Sequence, residues 1–291
     1  MNTKLSLGID IGSTTIKLVL INENHEILYK IYQRHFSEPT NALKQYFKEV
    51  LPFVDGKSFR VCMSGSAGMG LANRLEIPFE QEVLACTEAI RTLIPQTDTA
   101  IELGGEDAKI TYLKGSLEQR MNGACAGGTG AFIDQMANLL NTDAKGLNDL
   151  AKKGTKIHTI ASRCGVFAKT DIQALINDGA LKEDLALSIF QAVVNQTVGT
   201  LAQGRPIEGK TVFLGGPLTF LDVLKERFIT TLNLTDDEVV KADNACYYVA
   251  FGAAICDESL EVDCQSFKDK LEALSNSESS TSYSGQALFK D

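Results

Sequence analysis

The sequence predicts an α/β protein made of two related halves with a ligand cleft between them, and three observations carry that expectation. A β-rich strand–turn–strand unit opens the chain at residues 5–21. A second unit of the same plan starts at Thr99-Ala-Ile-Glu-Leu-Gly-Gly105, turns through Glu106-Asp107 and resumes at Ala108. Helical stretches lie between and after the two units, which points to a duplicated architecture, and clefts between such halves are where ligands usually bind.

Taken in order, residues 5–11 and 15–21 read as strands around Gly12-Ser-Thr14, and a third strand over 26–32 follows the turn at Asn22-Glu-Asn24. Pro39 suits a first helical turn and starts a helix to about residue 51; a strand near 58–64 and a helix over 81–93 before Pro95 complete the first half. The second half continues with helices near 129–141, 167–177 and 182–203, the last with Leu185, Ile189, Val193 and Leu201 at helical spacing and ending at Gly204. A strand over 211–214 leads into Gly215-Gly-Pro217 and another helix, and a helix around 246–256 returns to the first half. The expected units are therefore 1–96, 97–245 with both glycine-flanked cysteines, 246–275, and a Ser-rich polar tail over 276–291 unable to bury a core.

Composition excludes several function classes. The chain has 291 residues, 44% of them hydrophobic, which suffices for real cores. A net charge of -9 without a Lys/Arg cluster argues against nucleic acid and anionic membranes, both of which need a positive footprint. No run approaches the ~18 uninterrupted apolar residues of a membrane span, and Asp10 interrupts the N-terminal apolar run, so the expected location is the cytoplasm. Seven cysteines without a framework fit that reducing compartment.

In Gly8-Ile-Asp-Ile-Gly-Ser-Thr-Thr15 the glycines allow a tight turn and bring backbone N–H groups close to an anion. Gly12, Ser13, Thr14 and Lys17 are the candidate phosphate contacts, and Asp10 is left for magnesium. A Gly-rich hairpin with an Asp is also an ordinary turn. The second unit adds Glu102, Gly104, Gly105 and Asp107, and a third Gly-Gly follows a strand at Gly215, Gly216 and Pro217. No Gly-x-Gly-x-x-Gly opens a helix after the first strand. Three glycine turns at strand ends, in this order, resemble the phosphate-1, phosphate-2 and adenosine segments of the acetate and sugar kinase/Hsp70/actin superfamily from about residue 4 to 256. That resemblance implies duplicated ribonuclease H-like halves closing on ATP.

Cys125, in Asn122-Gly-Ala-Cys-Ala-Gly-Gly-Thr-Gly130, precedes a periodic helix whose positive end favours a thiolate, and Gly127 and Gly128 could also turn amides to phosphate. Cys164 lies in Ala161-Ser-Arg-Cys-Gly165. Either these are small buried hydrophobes, as most free cysteines are, or four ligands come from two copies, because two thiolates cannot complete an iron–sulfur site. Cys62, Cys86, Cys246, Cys256 and Cys264 lack flanking glycines and read as core.

The two cysteine segments, with Val166-Phe-Ala-Lys-Thr-Asp171 after the second, resemble the 2-hydroxyacyl-CoA dehydratase activators and the benzoyl-CoA reductase ATPase subunits. The resemblance implies a homodimer with one interfacial [4Fe–4S] cluster on Cys125 and Cys164 of both copies. It further implies ATP and Mg2+ as cofactors and hydrolysis of two ATP per dimer, with Asp10 and Glu102 placing magnesium and the attacking water. The implied partners are an iron–sulfur dehydratase or reductase component and a ferredoxin or flavodoxin. Short activators have aspartate and glutamine where this chain has Glu102 and Glu106, and the form here looks like the first unit of long activase-like proteins. A small-molecule kinase of the N-acetylhexosamine type and a non-catalytic nucleotide sensor remain as alternatives.

Overall fold

The structure, a computed structural model, describes residues 4–122, 127–162 and 164–278. β1 (Ser6–Ile11), β2 (Thr15–Ile21) and β3 (Ile27–Arg34) form an antiparallel meander. After α1 (Pro39–Val54), β4 (Ser58–Ser64) returns parallel to β1, and α2 (Met69–Leu75) and α3 (Glu82–Leu93) follow. The plan then repeats. β5 (Thr99–Leu103), β6 (Ala108–Tyr112) and β7 (Glu118–Met121) are antiparallel neighbours. Four helices follow: α4 (Gly130–Leu139), α5 (Ala144–Ala151), α6 (Gly165–Asn177) and α7 (Lys182–Thr197), the last running on as a π-helical turn over Val198–Ala202. β8 (Thr211–Leu214) then lies parallel to β5, and after α8 (Gly216–Phe220) and α9 (Asp222–Leu232) the short β9 (Val239–Val240) lies parallel to β8.

The end of the chain goes back to the first half. A 3-10 turn over Ala245–Tyr247 enters α10 (Tyr248–Ile255), β10 (Leu260–Asp263) pairs antiparallel with β4, and α11 (Cys264–Glu278) packs near α1 and α2. The sheet orders are β10-β4-β1-β2-β3 and β7-β6-β5-β8-β9, so the two halves match strand for strand except at the fifth.

Three apolar clusters hold these layers. Leu7, Ile9, Ile11 and Leu18 bury against Phe47 of α1 and Phe267 of α11 on the outer face of the first sheet. Ile110 and Phe213 of the second sheet bury with α4, α7 and α9 on its outer face. Between the sheets lie α3 and α10, where Val19 and Ile21 of β2 meet Ala89, Val249 and Ala250, with Ala100 and Val212 facing them from the second half. This central layer is tight. A Cβ on Gly8 would lie 1.8 Å from Ala250 O, and one on Gly252 would lie 1.8 Å from Ala85 O.

The elements the sequence does not announce have local reasons. α2 follows Gly68 and includes Gly70, so it reads as a loop. α5 is only eight residues long and is stabilised by a cap, Gly146 N donating to Asp143 Oδ1 at 2.7 Å. β7, β9 and β10 are short edge strands, and the first residues expected of the polar tail, 276–278, belong to α11. Pro52 sits within α1, which runs past residue 51 to Val54. The stretch Lys182–Ala202 is long and apolar enough to cross a membrane, yet 67% of its most apolar window is buried inside the protein.

The central layer makes a prediction. Gly252→Ala should lower unfolding free energy by about 3 kcal/mol in urea titrations, since backbone of α3 blocks the new methyl and overpacking is relieved only by moving a helix. Gly70→Ala, with open space around it, should be neutral or slightly stabilising.

Candidate functional site

The two strand–turn–strand units place their charged side chains in equivalent positions. Asp10 and Lys17 are cross-strand partners on β1 and β2, and Glu102 and Lys109 are cross-strand partners on β5 and β6. Each turn is closed by the same backbone bond, Gly12 N to Thr15 O at 2.9 Å and Gly104 N to Asp107 O at 2.7 Å. His35 supports the first turn, with Nε2 donating to Gly12 O at 2.9 Å and its N to Thr14 O at 3.2 Å.

The turns meet across the cleft. A Cβ on Gly105 would lie 2.2 Å from Thr14 Oγ1, and one on Gly215, whose φ is +86°, would lie 2.1 Å from Leu103 O. Both positions bring bare backbone to the cleft, as glycine permits. Asp10, Lys17, Glu102, Gly104, Gly105, Gly215 and Gly216 line one cavity of about 30 Å3. That is room for a water molecule or two. Gly12 and Ser13 stand at the first turn, Thr14 abuts Gly105, Asp107 closes the second turn, and Pro217 opens α8.

Charge alternates along the cleft floor. Lys17 Nζ is 2.9 Å from Asp10 Oδ2, an ion pair with side chains 15% and 6% exposed. Lys109 turns away from its strand partner to pair with Glu82 on the first turn of α3, which ties the second sheet to a first-half helix. Burial works against charge on Lys17, but Asp10 more than compensates and its pKa lies above the ordinary lysine value. The same balance, with Glu102 and Glu82 as the anions, holds Lys109 high. Burial alone would raise Glu82, yet Lys109 and Lys17 bring it below the usual carboxylate value. Glu102 goes the other way: burial raises it, Lys109 offsets part of that, and Glu82 and Asp10 add to it. Cys86 lies against Glu102, and burial pushes its thiol well up.

The cysteine side of the site is separate from this floor but joined to it by backbone. α4 starts at the turn after β5: Gly130 N donates to Gly104 O at 3.0 Å and Ala131 N to Gly105 O at 2.7 Å. Gly127 and Cys164 line a cavity of about 710 Å3 between α4 and α6, and Gly128, at φ +82°, faces Gln196 and Thr197 of α7. Neither glycine is on the wall of the small cleft. Cys164 is the residue before the first turn of α6, half-buried, with Val166 and Phe167 beside it 72% and 65% exposed. Cys125 lies outside the described residues. Among the described residues no group of three or more His, Cys, Asp or Glu is placed to hold a metal ion.

The sequence profile of the BadF/BadG/BcrA/BcrD ATPase family matches residues 7–256. The chain belongs to that family. Among relatives it is similar to the (R)-2-hydroxyglutaryl-CoA dehydratase activating ATPase of Acidaminococcus fermentans, 32% identical over 72% of this chain and 82% of the relative. The crystal structure of the A. fermentans (R)-2-hydroxyglutaryl-CoA dehydratase component A superposes with a TM-score of 0.76, at 27% identity, over 86% of this chain and 96% of that one. The 2-hydroxyisocaproyl-CoA dehydratase activator of Clostridium difficile, solved with bound ADPNP, shares the fold with a TM-score of 0.73 at 24% identity, over 94% of this chain and 97% of that one. The fold is that of the acetate and sugar kinase/Hsp70/actin superfamily.

Several residues of this family member's cleft are not among those singled out from sequence. Lys109 could have been found, since it stands seven residues after Glu102 as Lys17 stands seven after Asp10. Glu82, Tyr32 and Cys246 carry no local mark; they reach the cleft only because α3, β3 and the turn before α10 are packed around it. Cys86 and Cys246, read as plain core, lie at Glu102 and on the cleft wall.

Lys109→Met should cost about 3 kcal/mol at pH 7.5, because it leaves the carboxylates of Glu82 and Glu102 facing each other in a buried site. In that variant both folded carboxyls titrate above their unfolded range. The deficit is therefore full above the raised folded values and shrinks as pH falls through them toward the unfolded range. Urea unfolding of the variant and wild type at pH 7.5, 6 and 5 checks this; a deficit independent of pH contradicts it.

Proposed function

We propose that this chain is an ATP-hydrolysing activator which works as a homodimer and delivers a low-potential electron to an iron–sulfur dehydratase or reductase component. The observation that carries this reading is the pair of bonds from Gly130 and Ala131 to Gly104 and Gly105, through which the cysteine-bearing segment is built directly onto a nucleotide turn. Membership of an ATPase family and likeness to dehydratase activators support both ends of that link.

In this reading Asp10 and Glu102 hold Mg2+ and orient the attacking water, a role suited to two carboxylates at the ends of β1 and β5 facing one cleft. Gly12, Ser13, Thr14, Gly104, Gly105 and Asp107 surround the phosphates, and Gly215, Gly216 and Pro217 carry the adenosine. Entry of the nucleotide requires the halves to part, since the cleft holds a water molecule or two. Lys17 then exchanges Asp10 for phosphate oxygen, which frees the carboxylate for the metal.

The [4Fe–4S] cluster would be held by Cys125 and Cys164 of each copy. The described side of that site fits: Cys164 opens onto the cavity beside α4, at the N-terminal end of α6, within an apolar rim of Val166 and Phe167 suited to a second copy. When bound, the cluster supplies one-electron reducing chemistry, replenished by a ferredoxin or flavodoxin. Two ATP are hydrolysed per dimer, one in each cleft.

Two variants test the assignment on anaerobically purified protein. Cys164→Ser should lose the iron and acid-labile sulfide equivalent to one cluster per two chains, while Cys264→Ser keeps them; equal iron in both variants overturns the ligand set. Asp10→Asn should slow ATP hydrolysis about 100-fold or more and retain iron. An iron-free wild type that phosphorylates an amino sugar would refute the whole reading.

A further inference from the structure

The residues beside Gly216 extend the nucleotide reading to recognition of the base, and the inference rests on that reading. Three aromatic rings from three elements meet there. Tyr32 of β3 packs edge-on against Phe220 of α8, with ring centroids 5.4 Å apart, and against Tyr247 before α10, 6.3 Å apart. Phe220 ends the helix that the Gly215-Gly216 turn begins, and the residue is 59% exposed.

Tyr32 occupies the gap between the halves. Its hydroxyl lies so close to Gly216 that a Cβ there would be 2.1 Å away, and Thr15 lines the same cavity. Lys17 Nζ stands 5.6 Å from the Tyr32 ring centroid. The cavity these groups enclose is about 30 Å3, so a purine reaches Gly216 only when the Tyr32 ring has moved off it. Tyr32 belongs to an edge strand of the first sheet, whereas Phe220 is fixed to the second half by α8. Parting of the halves therefore separates the two rings and opens an aromatic slot next to the bare backbone of Gly216.

We propose that Phe220 and Tyr32 are the purine clamp of this protein, Phe220 as the platform carried by the second half and Tyr32 as the ring that leaves Gly216 and closes over the bound base. A flat aromatic ligand suits this slot because every base has a π-face, and stacking on an aromatic side chain is strong without being base-specific. The clamp accordingly tells a nucleoside diphosphate from inorganic pyrophosphate, and discriminates little between adenine and guanine.

The chain contains no tryptophan, so Phe220→Trp supplies a single indole at the platform. Saturating MgADP should quench that indole, and pyrophosphate should not, although it competes with ADP for the cleft. By calorimetry, Phe220→Ala should bind MgADP about tenfold more weakly than wild type, and Tyr32→Ala should do likewise, while both bind pyrophosphate as wild type does. Tyr32→Phe and Phe220→Trp should keep wild-type affinity for ADP. Wild-type ADP affinity in Phe220→Ala and Tyr32→Ala, or an indole at 220 indifferent to saturating ADP, overturns the clamp alone. Absence of any nucleotide binding by wild type overturns the clamp together with the ATPase reading on which it depends.

Discussion

The contact of α10 with β1 and α3, made at two glycines, sets the spacing from which the rest of the cleft follows. With hydrogen in place of a side chain at Gly8 and Gly252, backbone carbonyls of Ala250 and Ala85 come up against the facing Cα atoms. The two sheets are then separated by one layer of two helices, α3 and α10, and no more. At that separation the turns after β1 and β5 touch through Thr14 and Gly105, and α3 is near enough to the second sheet for Glu82 to reach Lys109. A thicker spacer would leave the same motifs facing solvent.

Such spacing forces charged groups into a confined volume, and the order in which they stand makes this tolerable. Asp10, Lys17, Glu82, Lys109 and Glu102 alternate in sign, so each lysine lies between two carboxylates. Three carboxylates and two ammonium groups leave one excess negative charge in the row. Burial raises Glu102 while its neighbours hold Glu82 down, so Glu102 takes up a proton more readily than the carboxylate at the centre of the row. A cation–phosphate complex bound in this cleft would meet a carboxylate from each half and a lysine beside one of them.

The duplicated plan is legible in the chain because both halves repeat one short pattern, apolar strand, acidic residue, glycine turn, apolar strand, and because that pattern is local. Asp10 and Glu102 are found by eye for this reason, and so are the glycines of all three turns. What escapes is whatever depends on packing over long sequence separations. Glu82 opens a helix with no motif around it, and its meaning comes from Lys109, on the other sheet. β10 pairs with β4 only after about two-thirds of the chain has intervened, and its alternating Leu260-Glu-Val-Asp263 is too short to distinguish from a loop. Gly127 and Gly128 look from sequence like further phosphate contacts, yet one lines the cavity of Cys164 and the other faces α7. Their helix reaches the phosphate turn through its own first amides instead.

That arrangement determines how a change in the cleft is felt at the cysteines. The peptide groups of Gly104 and Gly105 have two sides: their carbonyls are committed to the amides of Gly130 and Ala131, and the rest of the turn faces the cleft. Backbone hydrogen bonds at 2.7 and 3.0 Å leave little slack, so α4 follows the turn when the turn moves. The first half has its own hold on α4, an ion pair of Arg34 with Asp134 at 2.6 Å, but these side chains are 54% and 32% exposed. An ion pair so exposed contributes no more than about 1 kcal/mol and can break and re-form as the cleft opens. The rigid connection of α4 is thus to the second half and the yielding one to the first, so any parting of the halves would carry the helix away from β3 while leaving its seat on the turn after β5 intact.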